Sequence, residues 1–152
     1  MKIAVVHYHL QPGGVTRVIE NTLESFSLTE DSPEFVVLSG RQYPGNAIKN
    51  VRVVDGLDYS SSTDSVSPML LKEKMEEAAR EGLGGKPDIW HIHNHSLGKN
   101  PALTKAVDLL AQESSPMLLH PHDFAEDGRP ANFDALKAVS YTHLTLPTKV
   151  RV

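Results

Sequence analysis

The chain contains no cysteine, and no part of its sequence is apolar over a long stretch. Without cysteine it has no disulfide framework, no thiolate nucleophile and no cysteine-based metal site, which is compatible with the cytosol. No apolar run approaches the length of a membrane-spanning helix, and the run at residues 3–6 is too short for the apolar part of a signal peptide. We therefore expect a soluble, cytoplasmic protein, and peripheral contact with the inner face of a membrane stays open.

An excess of positive charge is also lacking, since the formal net charge is −4. This charge argues against nucleic acid as a partner. Hydrophobic residues make up 39% of the sequence and charged residues 22%, as in ordinary globular proteins. The length of 152 residues corresponds to about one domain with a real core.

A strand, a glycine turn and a helix are predicted at the start of the chain. Lys2–His7 is an apolar, β-branched run that ends in polar residues, as expected of a buried strand. Pro12, Gly13 and Gly14 break this pattern, and an apolar stripe at helical spacing follows, formed by Val15, Val18, Ile19, Leu23 and Phe26. This order begins a Rossmann-like unit, whose helix N-terminus suits a phosphate. The dinucleotide motif G-x-G-x-x-G is missing, so a simple tight turn is the alternative.

Strand and helix patterns alternate along the rest of the chain. Further strands are predicted at residues 34–39, 51–54, 88–93 and 116–119. Helices are predicted at 69–83, after Asn100-Pro101 and at 133–137, with Ser67, Asn100 and Asn132 as N-caps. The expected fold is α/β, a Rossmann-like parallel sheet with helices on both faces. The core-facing helix residues are predicted to be Leu71, Met75, Ala78, Ala79, Leu103, Ala106, Val107 and Leu110, with the Lys and Glu side chains of 69–83 in solvent.

The end of the chain does not continue this pattern. Residues 139–148 match, in order, the translation of GTC TCT TAT ACA CAT CTG ACG CTG CCG ACG, part of a transposase-type sequencing adapter. The adapter continues in the same frame through a variable index to a Val codon and a stop, which matches the end at Val152. We therefore predict a Rossmann-like domain of an incomplete protein at 1–137 and a non-native tail at 138–152.

Seven histidines of the predicted domain lie at the ends of predicted strands. In an open parallel sheet, ligands bind outside the carboxyl ends of the strands, where the strand order reverses. Strands one, four and five are neighbours there in the usual Rossmann order, so these side chains are expected to converge on one crevice. They are His7, His9, His91, His93, His95, His120 and His122.

Position along the strands separates these histidines into two groups. His91 and His120 are expected to be structural, whereas His9, His93 and His122 lie further out and are better placed for ligand contact. The carboxylate next to His122, at position 123, supports a protonated imidazole that can meet sugar hydroxyls or phosphate.

A metal site is the main alternative use of the histidines. Alternate histidines in residues 91–95 and 120–122 offer neutral imidazoles as ligands. The His-x-His-x-Asp-His pattern of metallo-β-lactamases is not met, because Asn94-His95-Ser96 stands at that point, and the sequence has no Glu-x-x-His pair. We therefore expect no metal site.

Together, these motifs resemble the N-terminal domain of family 4 glycosyltransferases, which are retaining enzymes with two Rossmann domains in the GT-B architecture. The resemblance covers residues 1–137 and rests on the first strand, on Pro-Gly-Gly-Val-Thr-Arg-Val at 12–18, on Asp-Ile-Trp-His-Ile-His at 88–93 and on His122-Asp123. It implies transfer of a sugar, with retention, from a nucleotide-sugar donor to a sugar or lipid acceptor. It also implies that no cofactor is needed, since members are generally metal-independent.

The resemblance implies roles for individual residues as well. Gly13 and Gly14 would approach the donor diphosphate, and His122, with Asp123, would act at the donor sugar near the reacting carbon. The sugar and acceptor side of the cleft would be lined by His9, His93, Asn94 and His95.

The family's donor motif, Glu-x7-Glu, lies in a C-terminal domain that this sequence does not include. The fragment is therefore expected to be inactive on its own. Two other classes stay open: a His-rich metal-dependent hydrolase and a non-catalytic α/β binding module. Stoichiometric, tightly bound zinc would favour the first, and failure of the intact protein to bind nucleotide sugars would favour the second.

Overall fold

Five parallel strands form one sheet in the computed structural model, which describes residues 1–60, 66–125 and 127–138. The order across the sheet is β3-β2-β1-β4-β5, and every adjacent pair is parallel. The predicted α/β, Rossmann-like fold is confirmed. The strands are β1 (Lys2–His7), β2 (Glu34–Ser39), β3 (Val51–Val53), β4 (Ile89–His93) and β5 (Met117–His120).

The described residues form four helices, which are α1 (Gly14–Ser27), α2 (Pro68–Leu83), α3 (Pro101–Gln112) and α4 (Pro130–Ala138). Two of the three predicted caps are present. The side chains of Ser67 and Asn100 each accept a hydrogen bond at 3.2 Å from a backbone N–H three residues further on. A proline follows each cap, where its missing N–H costs nothing.

Each face of the sheet has its own hydrophobic cluster. Alternation along β1 directs Ala4 and Val6 to one face, and Ile3 and Val5 to the other. The first face packs against α2 and α3, and the second packs against Ile19 of α1. Helices thus lie on both faces, as predicted. The predicted inward residues of α2 and α3 belong to the first cluster, where Leu71, Met75, Ala79, Leu103, Ala106, Val107 and Leu110 are buried and Ala78 is partly buried.

Two predicted side-chain orientations are wrong. Phe26, predicted in the core-facing stripe of α1, is 39% exposed, because the buried cluster ends before the last turn of the helix. One side of its ring packs against Phe35 at the start of β2. Lys72, predicted to lie in solvent, is 5% exposed. Its Nζ lies 2.9 Å from Glu113 and 3.1 Å from Glu76, so its charge is paired beside the junction of α2 and α3.

The start of the last helix also differs from the prediction. We expected Asn132 to cap a helix over 133–137, but α4 begins at Pro130. The N–H of Phe133 donates to Arg129 O at 3.0 Å, so the first helical turn already begins before Asn132. Proline suits the first position of a helix, which explains the earlier start. Apart from Ala138, the predicted tail lies outside the described residues. Among the described residues, no helix has both the length and the apolar character that crossing a membrane requires.

The sheet order decides where the histidines lie. β1, β4 and β5 are side by side, as predicted, so their carboxyl ends reach the same edge of the sheet. In the register, His91 is opposite Val5 of β1 and His93 is opposite His120 of β5. Residues far apart in sequence therefore meet at this edge.

Candidate functional site

Four histidines meet at the carboxyl ends of β4 and β5. His91 and His93 are two residues apart on one face of β4, and His120 and His122 come from the end of β5 and the loop after it. His91 Nε2 lies 3.2 Å from His120 Nδ1, and His93 Nδ1 lies 2.8 Å from His122 Nε2. The rings of His120 and His122 are stacked, with centroids 4.3 Å apart. The predicted convergence is confirmed for these four side chains, which we call the histidine cluster.

Rings from the end of β1 extend the cluster toward the loop after β3. The centroid of His7 lies 6.2 Å from that of His93, and His9 lies 5.9 Å from His7. Tyr59 then packs edge-on against His9 at 4.8 Å. Nothing in the polar sequence around Tyr59 marks it as a neighbour of β1, and sequence reasoning missed it.

Asn94 connects the loop after β4 to the loop after β5. Its side-chain Oδ1 accepts the backbone N–H of His122 at 2.6 Å and that of Asp123 at 3.2 Å. Its backbone has φ of +55°, in the left-handed region that asparagine tolerates better than most residues. The Tyr8 hydroxyl donates to the Asn94 carbonyl at 2.8 Å in the interior. Asn94 is 2% exposed, and its two bonds to the next loop position the segment that carries His122.

His95, also predicted on the acceptor side, is 5% exposed. The Thr104 hydroxyl in α3 donates to the His95 carbonyl at 2.7 Å and holds this loop against the helix. The ring atom Nδ1 of His95 is buried and has no hydrogen-bond partner among the described residues. The structure thus brings His95 near the carboxyl edge of the sheet but below its surface.

Burial keeps most of these imidazoles neutral. It lowers the pKa of His93 to about 2, with neighbouring histidines adding to the effect. Burial is also the main cause that lowers the pKa of His7, His91 and His95 to about 4. These four rings carry no charge at neutral pH. They can donate and accept hydrogen bonds or bind a metal, but they supply no positive charge to a ligand.

The pair His122 and Asp123 does not favour a protonated imidazole. Burial, and then the charge of His120, lower the pKa of His122, whereas Asp123 acts in the opposite direction. Asp123 is exposed, and its carboxylate lies 3.5 Å from Arg129 of the same loop. Burial is the largest of these effects, so the pKa of His122 is lowered despite the neighbouring carboxylate.

The glycine turn leaves the N-terminus of α1 open. Gly13 precedes the helix in extended conformation, and Gly14 is its first residue. No described side chain caps α1, and its first turn holds no acidic residue, so backbone N–H groups there stay accessible to an anion. A Cβ at Gly14 would meet no atom within 4 Å, so packing does not require glycine at that position. Gly13 lines a shallow depression together with Thr16 and Tyr43.

Part of the histidine cluster has the geometry of a metal site. One ring nitrogen from each of His91, His93 and His120 lies within 4.8 Å of the others. His93 is buried, and the other two are partly exposed. These residues are not the set that the sequence favoured for ligand contact, because His91 and His120 were expected to be structural.

The fold and the cluster define a Rossmann-like α/β chain with polar side chains along the carboxyl edge of its sheet. The mannosylglucosyl-3-phosphoglycerate synthase of Petrotoga mobilis is 26% identical to this chain over 144 residues. The alignment covers 88% of this chain and 28% of that protein. The similarity supports a distant relationship to a glycosyltransferase. No family model and no solved structure matches the chain.

Proposed function

We propose that this chain is the N-terminal, acceptor-side domain of a family 4 retaining glycosyltransferase of GT-B architecture. The observation that carries the proposal is the similarity to a glycosyltransferase along 88% of the chain. The reaction is transfer of a sugar, with retention, from a nucleotide-sugar donor to a sugar or lipid acceptor. The histidine cluster at the carboxyl edge of the sheet supports this assignment, since ligands of open α/β sheets bind at that edge.

The N-terminus of α1 is the proposed contact for the donor diphosphate. Negative charge grows on this leaving group during transfer and needs stabilisation. The buried histidines are neutral and cannot supply it. Uncapped backbone N–H groups after Gly13 and Gly14 supply it through the helix dipole, and the step proposed here uses no cofactor.

His122 and Asp123 are the proposed contacts for the donor sugar near its reacting carbon. A neutral imidazole both donates and accepts a hydrogen bond, which suits a sugar hydroxyl. The bonds from the backbone of both residues to Asn94 hold their loop in place. On the sugar and acceptor side of the cleft, the partly exposed His9 is the proposed contact. His93, Asn94 and His95 are at most 5% exposed and are proposed to support that side from beneath.

The donor-binding domain is proposed to lie outside this sequence. The chain spans 28% of the length of its relative, and the remaining part of the same protein is its proposed partner. The isolated chain is therefore expected to release no nucleoside diphosphate from nucleotide sugars.

We propose that the whole protein works in the cytoplasm, at the inner face of the membrane if its acceptor is a lipid. Nucleic acid has no role in the proposed reaction.

Sequencing the source DNA beyond the Lys137 codon tests the architecture. A long read is expected to continue into a second Rossmann domain with Glu-x7-Glu and to lack codons for residues 138–152, which we attribute to a sequencing adapter. A gene that stops near this codon contradicts the two-domain proposal. Genomic DNA that encodes the tail itself contradicts its adapter origin.

Activity of the full-length protein tests the site. Release of nucleoside diphosphate from a panel of nucleotide sugars is measured, including a mannosyl donor because the relative is named for a mannosyl product. His122→Ala is expected to lower kcat/KM by about 10-fold, the loss of a hydrogen bond to the donor sugar, whereas Gln112→Ala, on the exposed surface of α3, retains activity. Unchanged turnover in His122→Ala contradicts the role of His122, and a product of inverted anomeric configuration contradicts retention.

A further inference from the structure

We propose that His91, His93 and His120 form a binding site for a first-row transition-metal ion such as Zn²⁺. One nitrogen of each ring lies within 4.8 Å of the others. Around tetrahedral zinc, with zinc–nitrogen distances of about 2.0–2.1 Å, ligand nitrogens are about 3.3 Å apart. His91 Nε2 and His120 Nδ1 are already 3.2 Å apart, so these two rings need little movement to share an ion.

His93 provides an independent indication. Its Nδ1 lies 2.8 Å from His122 Nε2, and its Nε2 is buried without a hydrogen-bond partner among the described residues. A buried ring nitrogen without a partner is costly. A metal ion at Nε2 would satisfy this atom, while His122 would hold the opposite nitrogen, as outer-shell partners of metal-bound histidines do.

The sheet holds the three rings in place. His91 and His93 lie on one face of β4, and His120 is opposite His93 on β5. The rings of His91 and His120 are parallel to within 3°. Because both are partly exposed, an ion can reach them from solvent. Imidazole ligands suit Zn²⁺, Cu²⁺ and Ni²⁺, and three protein ligands leave a coordination position for water.

This site goes beyond the proposed sugar transfer and does not depend on it. An ion that only links two strands is compatible with sugar transfer, whereas hydrolysis by the zinc-loaded protein would favour the metal-dependent hydrolase instead. The metal would join β4 to β5 beside His122, and its binding can be measured on the 152-residue chain without any sugar. Failure of metal binding therefore leaves the glycosyltransferase proposal intact, and inactivity of the full-length enzyme leaves the metal proposal intact.

Equilibrium dialysis of the untagged chain against Zn²⁺ tests the proposal. The wild-type chain is expected to bind one ion, and His120→Gln is expected to lose this binding. His9→Gln and His143→Gln, which remove histidines other than the three proposed ligands, should still bind one ion. Equal zinc binding by His120→Gln and wild type, or equal loss in the control variants, overturns the proposal. If His120→Gln does not fold by circular dichroism, His91→Gln takes its place.

The coordination shell supplies a second readout. X-ray absorption of the zinc-loaded wild-type chain should show three imidazole nitrogens at about 2.0–2.1 Å. His122→Ala should still bind one ion but with about 10-fold or more weaker affinity, because it removes the partner of His93 Nδ1. A shell dominated by oxygen, or one with fewer than three imidazole nitrogens, contradicts the proposed site. Unchanged zinc affinity in His122→Ala contradicts the role of His122 as the partner of His93.

Discussion

At the scale of single residues, Asn94 connects the two loops that bear the histidines. Its left-handed backbone turns the chain after β4, and its Oδ1 accepts two backbone N–H groups from the loop after β5. Its carbonyl in turn accepts the hydroxyl of Tyr8. One residue thus joins the ends of β1, β4 and β5: its backbone carbonyl reaches Tyr8 and its side chain holds the loop that carries His122.

Replacing Asn94 with glycine tests this role. Glycine adopts the positive φ freely, so Asn94→Gly removes the side-chain acceptor of His122 and Asp123 without straining the backbone. The free energy of unfolding is expected to fall by about 1–2 kcal/mol, the cost of unpaired backbone donors that water reaches in part. Urea denaturation measures the change. Asn94→Asp keeps an acceptor oxygen and should lose less; equal losses in the two variants would show that these bonds do not matter.

Tyr8 gives a prediction about alkaline pH. Burial, and then the charge of Tyr59, raise the pKa of the Tyr8 phenol, which donates to Asn94. In the unfolded chain tyrosine ionises near pH 10. The stability from the neutral phenol is therefore fully present below about pH 10 and is lost as the pH rises further, by up to about 1.4 kcal/mol per pH unit.

Tyr8→Phe removes this contribution. At neutral pH it is expected to cost about 0.5–1.5 kcal/mol, because the Asn94 carbonyl loses one of two donors and keeps the N–H of Leu97 at 3.1 Å. Between about pH 9 and about pH 11, its unfolding free energy should fall less steeply than that of the wild type. Chemical denaturation at several pH values provides the comparison, and parallel curves for the two proteins would rule out Tyr8 as the titrating group.

At the scale of elements, α2 approaches β2 closely at Gly82. Gly82, in the last turn of α2, faces Val36 of β2, and a Cβ on this glycine would overlap with the Val36 side chain. The Gly82 carbonyl also accepts a hydrogen bond at 2.8 Å from the Asn50 side chain, which donates to Phe35 at 2.9 Å. Contact between this helix and the sheet therefore requires a residue without a side chain.

Gly82→Ala is expected to destabilise the fold, although alanine favours helix by about 1 kcal/mol. Val36 is fully buried and stiff at χ1, so the added methyl group overpacks the interface at a cost of about 1–3 kcal/mol. Thermal denaturation of a mutant cycle tests this explanation. In a Val36→Ala background the same change should become neutral or stabilising, whereas a higher Tm for Gly82→Ala alone would contradict the close contact.

At the scale of the whole molecule, one sheet joins two hydrophobic clusters. Adjacent residues of β1 point to opposite faces, so the cluster under α1 and the cluster under α2 and α3 share a strand. Exposing either face removes support from the same strand. The described part of the chain is therefore expected to unfold as one cooperative unit.

The single tryptophan of the chain can test this cooperativity. Trp90 is 3% exposed and belongs to the cluster under α2 and α3. Ile19→Ala, on the opposite face, should lower the unfolding free energy by about 2–5 kcal/mol and shift the Trp90 fluorescence transition by the same amount as far-UV circular dichroism. Leu103→Ala, in the same hydrophobic cluster as Trp90, provides the matched control. A fluorescence transition that Ile19→Ala leaves unchanged would indicate that the faces unfold separately.

Local sequence patterns predicted the elements of the fold well. β-branched runs marked the strands, and Ser67 and Asn100 before prolines marked the starts of α2 and α3, because these signals act within a few residues. Errors arose where a distant neighbour decides the outcome. Lys72 is buried because Glu113, at the end of α3, reaches its charge, and Phe26 is exposed because the core ends before the last turn of α1.

The sequence by itself determined the fold class and the edge of the sheet where the histidines gather, because parallel strands bring their carboxyl ends together. Only the tertiary structure decided which rings touch. The pairing of His91 with His120 and of His93 with His122 depends on the register between β4 and β5. The role of Asn94 depends on the path of two loops that lie 28 residues apart in sequence. Such long-range contacts leave no periodic pattern, so they emerge only when the sheet is assembled.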